Sequence, residues 1–148
     1  KEDIDFVIFA TLSPDYYFPG PGVLVQRDLG LRTVGALDVR NQCSGFVYAI
    51  SIADQYIKTG MYKNVLVIGS ELHSTGLDMT TRGRGVSVIF GDGAGAAVLT
   101  REEDTKKGIK SRIAEEGLTD DNEKVVYMRA CVIGKLENEC HVVHLAFC

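Results

Sequence analysis

The sequence predicts an α/β fold in which a mixed β-sheet packs against a buried central helix. Residues 4–11 and 64–69 form two apolar runs, rich in β-branched and aromatic side chains, of the kind found in strands covered on both faces. A third strand-like run at 33–39 leads into a helical run at 46–57, which is apolar around most of its circumference and therefore indicates a helix without a solvent face. Strand, helix and strand in this succession predict a β-α-β unit.

The segments between these elements carry turn and helix-end signals. Residues 12–22 hold all three prolines of the chain and predict a loop. Pro21 fits the first turn of a short helix that runs to Leu29, because the N–H that proline lacks is unpaired there in any case. Gly30 suits the left-handed position after that helix, and Gly60 is expected to end the second helix.

A glycine-rich stretch around residue 92 predicts how the sheet becomes mixed. Apolar runs at 86–90 and 94–100 flank Gly91-Asp92-Gly93, a turn signal that predicts an antiparallel hairpin. A phosphate-binding loop is the alternative, but no helical pattern follows and the lysine of a P-loop is absent. We therefore expect these glycines to form a tight turn that needs positive φ.

Composition narrows the class of protein. The chain has 148 residues of which 45% are hydrophobic, enough for one globular domain with a real core. Sixteen basic and 20 acidic residues give a net charge of −4, so no nucleic-acid partner is expected. No apolar run reaches the roughly 20 residues that span a membrane, and the first residues do not resemble a signal peptide. Four cysteines without a CxxC pair predict no disulfide framework, and we expect a soluble, cytoplasmic protein.

Cys43 stands where the strand-like run at 33–39 meets the helical run at 46–57. A cysteine at a helix N-terminus faces unpaired backbone N–H groups and the positive end of the helix dipole, and both favour the nucleophilic thiolate. Ser44 and Gly45 are small, so an acyl group can approach the sulfur. The alternative is a buried cysteine that acts as a small hydrophobic side chain. The local residues leave both interpretations open.

Six motifs occur in an order that resembles the β-ketoacyl-acyl-carrier-protein synthase III group of the thiolase superfamily, over Ile4 to Thr100. They are FPGPG at 18–22, DVRNQCSGF at 38–46, ADQYIKTG at 53–60, VLVIGSE at 65–71, TTRG at 80–83 and IFGDGAGAAVL at 89–99. The resemblance implies a partial thiolase-like half-fold in residues 1–116. Residues 117–148 do not resemble the family and are expected to form a divergent tail.

The resemblance also implies the chemistry. Cys43 would take an acyl group from acyl-CoA as a thioester, with its own N–H as one donor to the oxyanion. Condensation with malonyl-carrier protein would follow, so acyl-CoA and an acyl-carrier protein are the implied partners and no cofactor is needed. The family is dimeric, which implies a homodimer here.

Four further site residues are implied by the resemblance, each with an ordinary alternative. Arg82 matches the arginine that lies against the adenine end of CoA; otherwise it is a solvated loop residue. Phe18 matches the phenylalanine that reaches into the acyl pocket of the dimer partner; otherwise it packs on its own core. Phe90 matches an active-site aromatic, or it is an inner residue of a strand. His73 replaces an apolar residue of the acyl channel, which leaves the acyl-chain preference open.

Other features argue for a reduced activity. The family condenses its substrates with a histidine and an asparagine from the second half of a duplicated fold, and no segment here matches them, so we expect a truncated relative that does not complete condensation. A non-catalytic module that self-associates and binds CoA-like ligands is the alternative function. In the tail, Cys140, His141, His144 and Cys148 suggest a zinc site. One alternative is that the tail adds a helix or strand of its own. Another is that it derives from a gene truncation or rearrangement and was never selected in this fold. We favour no metal.

Overall fold

Six strands form the sheet of the computed structural model, which describes residues 1–102 together with the strands at 125–133 and 141–143. The strands are β1 (Phe6–Ala10), β2 (Gly35–Val39), β3 (Asn64–Glu71), β4 (Gly93–Glu102), β5 (Val125–Ile133) and β6 (His141–Val143). Their order in the sheet is β2-β1-β3-β4-β5-β6. β1 pairs in parallel with both β2 and β3, whereas the pairs β3-β4, β4-β5 and β5-β6 are antiparallel. The predicted mixed sheet is confirmed.

The predicted hairpin at residues 86–100 is wrong. Residues Arg84–Ser87 form a short helix, α3, directly after a 3₁₀ turn at Thr81–Gly83, and β4 pairs with β3 instead. A short apolar run carries no periodicity that separates a strand from a helical turn, and here β3 offers β4 a longer partner. Positive φ is also absent from the glycines beside Asp92; among the residues described it occurs at Gly30 and Gly60.

Helices α1 (Pro21–Asp28) and α2 (Gly45–Lys58) begin and end close to the predicted positions. Pro21 occupies the first turn of α1, and Gly30 follows the helix with φ of 60°. Gly60 follows α2 with φ of 78°. Both glycines adopt the left-handed conformation that side chains disfavour, so each gives its helix a sharp end. In the part of the chain that the structure describes, no helix is long and apolar enough to cross a membrane.

The core lies between α2 and the sheet. Ala49, Ala53 and Ile57 are fully buried on the inner face of α2, where they pack on inward-facing side chains of β1, β3 and β4. The small alanines let the helix approach the strands closely. The prediction that α2 has no solvent face is wrong, because Val47 and Tyr48 on its opposite face are exposed. An apolar composition does not by itself show which face of a helix the rest of the fold covers.

Asp38 holds the start of α1 against β2. Its Oδ1 accepts a hydrogen bond of 2.7 Å from the backbone N–H of Gly22, in the first turn of α1. Gly20, the residue before the helix, has no side chain to supply this bond, so Asp38 replaces the usual capping residue. A Cβ atom on Gly20 would overlap the Asp38 carboxylate. This contact joins the FPGPG loop to the strand that leads to Cys43.

The tail contributes strands to the same sheet. β5 pairs with β4 along nine residue pairs, from Ala94↔Ile133 to Glu102↔Val125, and β6 adds to its outer edge. The tail therefore includes strands of its own, one of the predicted alternatives. The proposed division at residue 116 stays a prediction. Of the suggested zinc ligands, Cys140, His144 and Cys148 lie outside the described residues.

Candidate functional site

The carboxyl ends of β1, β2 and β3 meet at one edge of the sheet. In the pairing register Ala10 lies between Val39 and Gly69, the three residues at or near these strand ends. β4 runs in the opposite direction and begins at the same edge, with Gly93 opposite Glu71. Ligand sites of open α/β sheets form at this kind of edge. The segments that follow the three parallel strands and precede β4 are therefore the candidate site.

Cys43 lies at this edge, in the turn between β2 and α2, with its side chain free and exposed. The turn is closed by a 3.1 Å hydrogen bond from the Gly45 N–H to the Gln42 carbonyl oxygen. Asn41 Nδ2 donates to Ser44 Oγ at 3.1 Å, and no side chain caps the first turn of α2. The interpretation of Cys43 as a buried hydrophobic residue is wrong in this structure.

Two close contacts seat the first turn of α2 on the sheet. Gly45 lies over the end of β1, where an added Cβ atom would be 3.5 Å from the Cβ of Ala10. Phe46 lies over Gly69 in β3, and a Cβ atom there would approach the Phe46 ring to 2.9 Å. Gly69 thus makes room for the aromatic ring. These contacts fix where α2 begins, and with it the position of Cys43.

Glu71, at the end of β3, forms hydrogen bonds with the loop that follows β1. Its Oε1 accepts a 2.9 Å hydrogen bond from the Leu12 N–H, and its Oε2 accepts one of 2.6 Å from Ser13 Oγ. Ser13 Oγ in turn accepts the N–H of Leu72 at 2.8 Å. Glu71 was not among the predicted site residues, although a polar residue at the end of a buried parallel strand is a usable signal.

Glu71→Ala should loosen the loop after β1 without unfolding the sheet, because Thr11 Oγ1, the Leu12 N–H and Ser13 Oγ lose their shared acceptor. We expect chymotrypsin to cleave after the exposed Tyr16 and Tyr17 several-fold faster than in the parent chain. Glu71→Gln is the matched control, since its amide oxygen still accepts one of the hydrogen bonds. Its cleavage rate should lie between the rates of the parent chain and of Glu71→Ala. Unchanged cleavage of Glu71→Ala would show that the loop is held by other contacts.

His73 and Phe90 are brought together at the same edge. Their ring centroids are 5.1 Å apart in an edge-to-face arrangement, and His73 Nε2 lies 3.7 Å from Glu71 Oε2. Phe90 precedes β4 and is 40% exposed, so its interpretation as an inner residue of a strand is wrong. Asp92, just before β4, holds the segment after His73 in place. It accepts hydrogen bonds from the Ser74 N–H at 2.8 Å and from Ser74 Oγ at 2.5 Å.

Two adjoining open clefts occupy this edge. The larger, of about 450 Å³, lies between the ends of β1, β3 and β4 and is lined in part by Thr11, Glu71 and Asp92. The second, of about 390 Å³, is lined in part by Leu72 and His73. Both clefts are open to solvent, and their walls combine apolar side chains such as Leu72 with polar groups such as Glu71.

Phe18 and Arg82 extend into solvent from two loops. The Phe18 side chain is 93% exposed, so it does not pack on the core of its own chain. In the same loop as Phe18, the Arg40 guanidinium lies over the Tyr17 ring, 5.1 Å from its centroid. This cation–π contact links the loop to the segment that contains Cys43. The Arg82 side chain is 91% exposed and hydrogen-bonded to Asp78.

Metal ligands do not gather at this site. Among the residues whose side chains are described, no three His, Cys, Asp or Glu side chains are placed to hold a metal ion.

Known proteins resemble the chain in both sequence and fold. β-Ketoacyl-[acyl-carrier-protein] synthase III of Aquifex aeolicus (strain VF5) is 47% identical over 116 residues, which are 78% of this chain and 37% of the relative. The relative from Aliivibrio fischeri (strain ATCC 700601 / ES114) is 52% identical over 104 residues, 70% of this chain and 32% of the relative. The chain therefore spans about a third of the length of these relatives.

Solved structures agree with these sequences. The crystal structure of 3-oxoacyl-[acyl-carrier-protein] synthase III from Aquifex aeolicus VF5 matches with a TM-score of 0.64 and 50% identity, over 68% of this chain and 32% of that chain. The enzyme from Pseudomonas aeruginosa PAO1 matches with a TM-score of 0.64 and 32% identity, over 71% of this chain and 32% of that one. The thiolase-like fold class predicted from the motifs is confirmed.

The model of one protein family matches residues 37–117, a segment that includes Cys43, α2, β3 and β4. The motif order, the fold and this match agree, and the chain belongs to the 3-oxoacyl-[acyl-carrier-protein] synthase III family.

Proposed function

We propose that this part of the protein accepts an acyl group from acyl-CoA on Cys43. The observation that carries the proposal is the exposed thiol at the uncapped N-terminus of α2, at the edge where the parallel strands end. The family to which the chain belongs is described as 3-oxoacyl-[acyl-carrier-protein] synthase III, a name that indicates acyl-group chemistry. Acyl transfer to a cysteine is thus the activity that the site supports best.

The proposed step is a thioester exchange. The Cys43 thiolate attacks the carbonyl carbon of acyl-CoA, the oxyanion intermediate collapses, and the CoA thiolate leaves and takes up a proton. One thioester bond forms as another breaks, so the reaction is redox-neutral and requires no metal or cofactor. The product keeps an electrophilic carbonyl for a later step.

The start of α2 supports this step. No side chain caps its first turn, so in the proposal the unpaired backbone N–H groups and the positive end of the helix dipole stabilise the thiolate and the developing oxyanion. Ser44 and Gly45 follow Cys43 and leave space around the thiol. Asn41 is engaged with Ser44, which keeps the turn compact.

The remaining site residues take roles in substrate binding within the proposal. His73 and Phe90, in contact with each other, border the acyl group, and the polar ring of His73 disfavours long apolar chains there. Arg82 is exposed and contacts the adenine end of CoA through its planar guanidinium. Phe18 extends toward a partner subunit.

An intact-mass experiment tests the proposal. The chain is incubated with acetyl-CoA under native conditions, and a peptide map locates the adduct. We expect one acetyl group on Cys43, together with faster iodoacetamide labelling of Cys43 than of Cys131 or Cys148. Absence of both modifications at Cys43 would rule out the activated thiol.

The proposal ends at the thioester. By the resemblance, carbon–carbon bond formation uses a histidine and an asparagine that polarise the thioester carbonyl, and no segment of this sequence matches them. We therefore propose no condensation by this chain alone. That this chain binds an acyl-carrier protein, and that it prefers acyl groups of a certain length, are likewise proposals that follow from its family.

We also propose that the chain self-associates, as a homodimer. Large apolar side chains are exposed on the outer face of α2, on α3 and on the loops before α1 and β4: Tyr16, Tyr17, Phe18, Val47, Tyr48, Val86, Val88 and Ile89. Exposed apolar groups in this number are typical of an interaction surface. This surface also supports the alternative function, a non-catalytic module that associates and binds CoA-like ligands.

Light scattering tests self-association. We expect twice the 16.2 kDa mass of one chain at micromolar concentration, and a shift toward the single-chain mass in Phe18→Ala. Met61→Ala removes a side chain that is also exposed but follows the other end of α2, so it should leave the mass unchanged. A stable 16.2 kDa species in the parent chain would overturn the homodimer.

A further inference from the structure

Asp78 organises the turn that carries Arg82. Its Oδ1 accepts hydrogen bonds from the Thr80 N–H at 3.0 Å and from Thr80 Oγ1 at 2.6 Å. Its Oδ2 accepts a bond of 2.9 Å from Arg82 Nε. One carboxylate thus binds the backbone of the turn with one oxygen and the arginine side chain with the other.

The backbone of this turn is closely packed. The Gly83 N–H donates to the Thr80 carbonyl oxygen at 3.0 Å, which closes the 3₁₀ turn. A Cβ atom on Gly83 would overlap the backbone oxygen of Asp78. The base of the Arg82 side chain is therefore set against Asp78, and glycine is required beside it.

Arg82 is oriented but uncovered. Asp78 engages the Nε edge of the guanidinium, whereas the side chain as a whole is 91% exposed. A guanidinium is planar, so a partner on its edge leaves both faces open for stacking. The Asp78 side chain is 31% exposed, so its own position is more restricted than that of Arg82.

We propose that Asp78 is a positioning residue that holds Arg82 ready to stack on the adenine of CoA. The inference rests on the proposed function, in which Arg82 contacts the nucleotide, and adds the residue that orients it. A long side chain that is already held loses less conformational freedom when the ligand binds. Removing Asp78 should therefore weaken the nucleotide contact without altering the Cys43 thiol or the two clefts at the sheet edge.

The ionisation of Asp78 agrees with this role. Hydrogen bonds from the Thr80 hydroxyl, the Thr80 backbone and Arg82 together lower the pKa of the Asp78 carboxyl. A lowered pKa means that the stabilisation of the turn is present at neutral pH and is lost only as the pH falls through that lowered value. The Asp78 carboxylate therefore keeps its hydrogen bond to Arg82 at neutral pH, the condition of the binding experiment.

Calorimetric titration with two unreactive thioethers, S-ethyl-CoA and S-ethyl-pantetheine, separates the nucleotide contact from the rest of the ligand. In Asp78→Ala we expect S-ethyl-CoA to bind about three- to tenfold more weakly, the range for one side chain that must be ordered. S-ethyl-pantetheine should bind as it does to the parent chain. Arg82→Ala should show at least the same loss, and the double variant no further loss.

Asp78→Asn distinguishes positioning from simple support of the turn. The asparagine Oδ1 still accepts from Thr80, but its amide NH₂ cannot accept from Arg82 Nε. We expect Asp78→Asn to lose S-ethyl-CoA affinity as Asp78→Ala does while keeping the thermal stability of the parent chain. Parent-like affinity in Asp78→Asn would assign Asp78 a structural role only and overturn the proposal.

Failure of the proposed function gives a different result. If Arg82→Ala leaves the S-ethyl-CoA affinity unchanged, or if the parent chain does not prefer S-ethyl-CoA over S-ethyl-pantetheine, Arg82 does not contact the nucleotide and the inference about Asp78 is overturned with it. Acylation of Cys43 is followed separately by mass and does not depend on either outcome. If Arg82→Ala weakens binding and neither Asp78 variant does, only the positioning role fails.

Discussion

Cys43→Ser should abolish the acetyl adduct formed from acetyl-CoA. A serine hydroxyl is far less acidic than a cysteine thiol, so a helix N-terminus does not turn it into a comparable nucleophile. Intact-mass spectrometry after incubation with acetyl-CoA is the measurement, and the adduct should fall below detection. The substitution changes a single exposed atom, so the thermal stability should stay close to that of the parent chain.

Matched controls come from the other cysteines. Cys131→Ser, Cys140→Ser and Cys148→Ser each remove one of the other thiols, and all three variants should acquire the same single acetyl group as the parent chain. An adduct that persists in Cys43→Ser and disappears in one of these variants would place the acyl acceptor elsewhere and overturn the assignment of Cys43.

Ile57→Ala should cost about 2–5 kcal/mol of the free energy of unfolding, the range for truncating a fully buried isoleucine. Ile57 is 0% exposed and packs with Phe6, Ile8 and Val65 on the inner face of α2. The cavity would lie where α2 packs on β1 and β3, so the substitution weakens contacts of the helix with both strands. Urea denaturation measures it as a lower midpoint with an unchanged slope.

Val47→Ala is the control for this core prediction. It shortens a β-branched residue on the same helix to alanine, but Val47 is 64% exposed. The unfolding free energy should change by no more than about 0.5 kcal/mol. If Ile57→Ala cost no more than Val47→Ala, the packing of α2 on the sheet would be incorrect.

The β-α-β unit was predictable because its signals are local and agree with one another. The apolar run before Gly69, the apolar helix before Gly60 and the proline at the start of α1 each point to one structure. Residues 86–90 carry an apolar signal without a period, and the partner of β4 lies some 30 residues earlier in β3, so only the tertiary pairing decides their structure.

The sequence predicted the nucleophile of the candidate site, but not the residues whose hydrogen bonds hold the surrounding loops in place. Cys43 stands at a strand-to-helix junction that the sequence reveals directly. Asp38, Glu71 and Asp78 act on groups that are distant in the chain or depend on a turn, and their hydrogen bonds form only once the fold exists. The spacing of Asp78 and Arg82, four residues apart, was the one local sign of such a support.

The position of β1 between β2 and β3 has a consequence for how the chain folds during synthesis. β1 precedes both of its neighbours along the chain, because β2 starts at Gly35 and β3 ends at Glu71. During synthesis the fully apolar segment FVIFA thus remains without its second partner until β3 has emerged. Strand pairing across such separations is slow, and an uncovered apolar strand is prone to pair with another chain. β1 is therefore the segment that a chaperone would protect first.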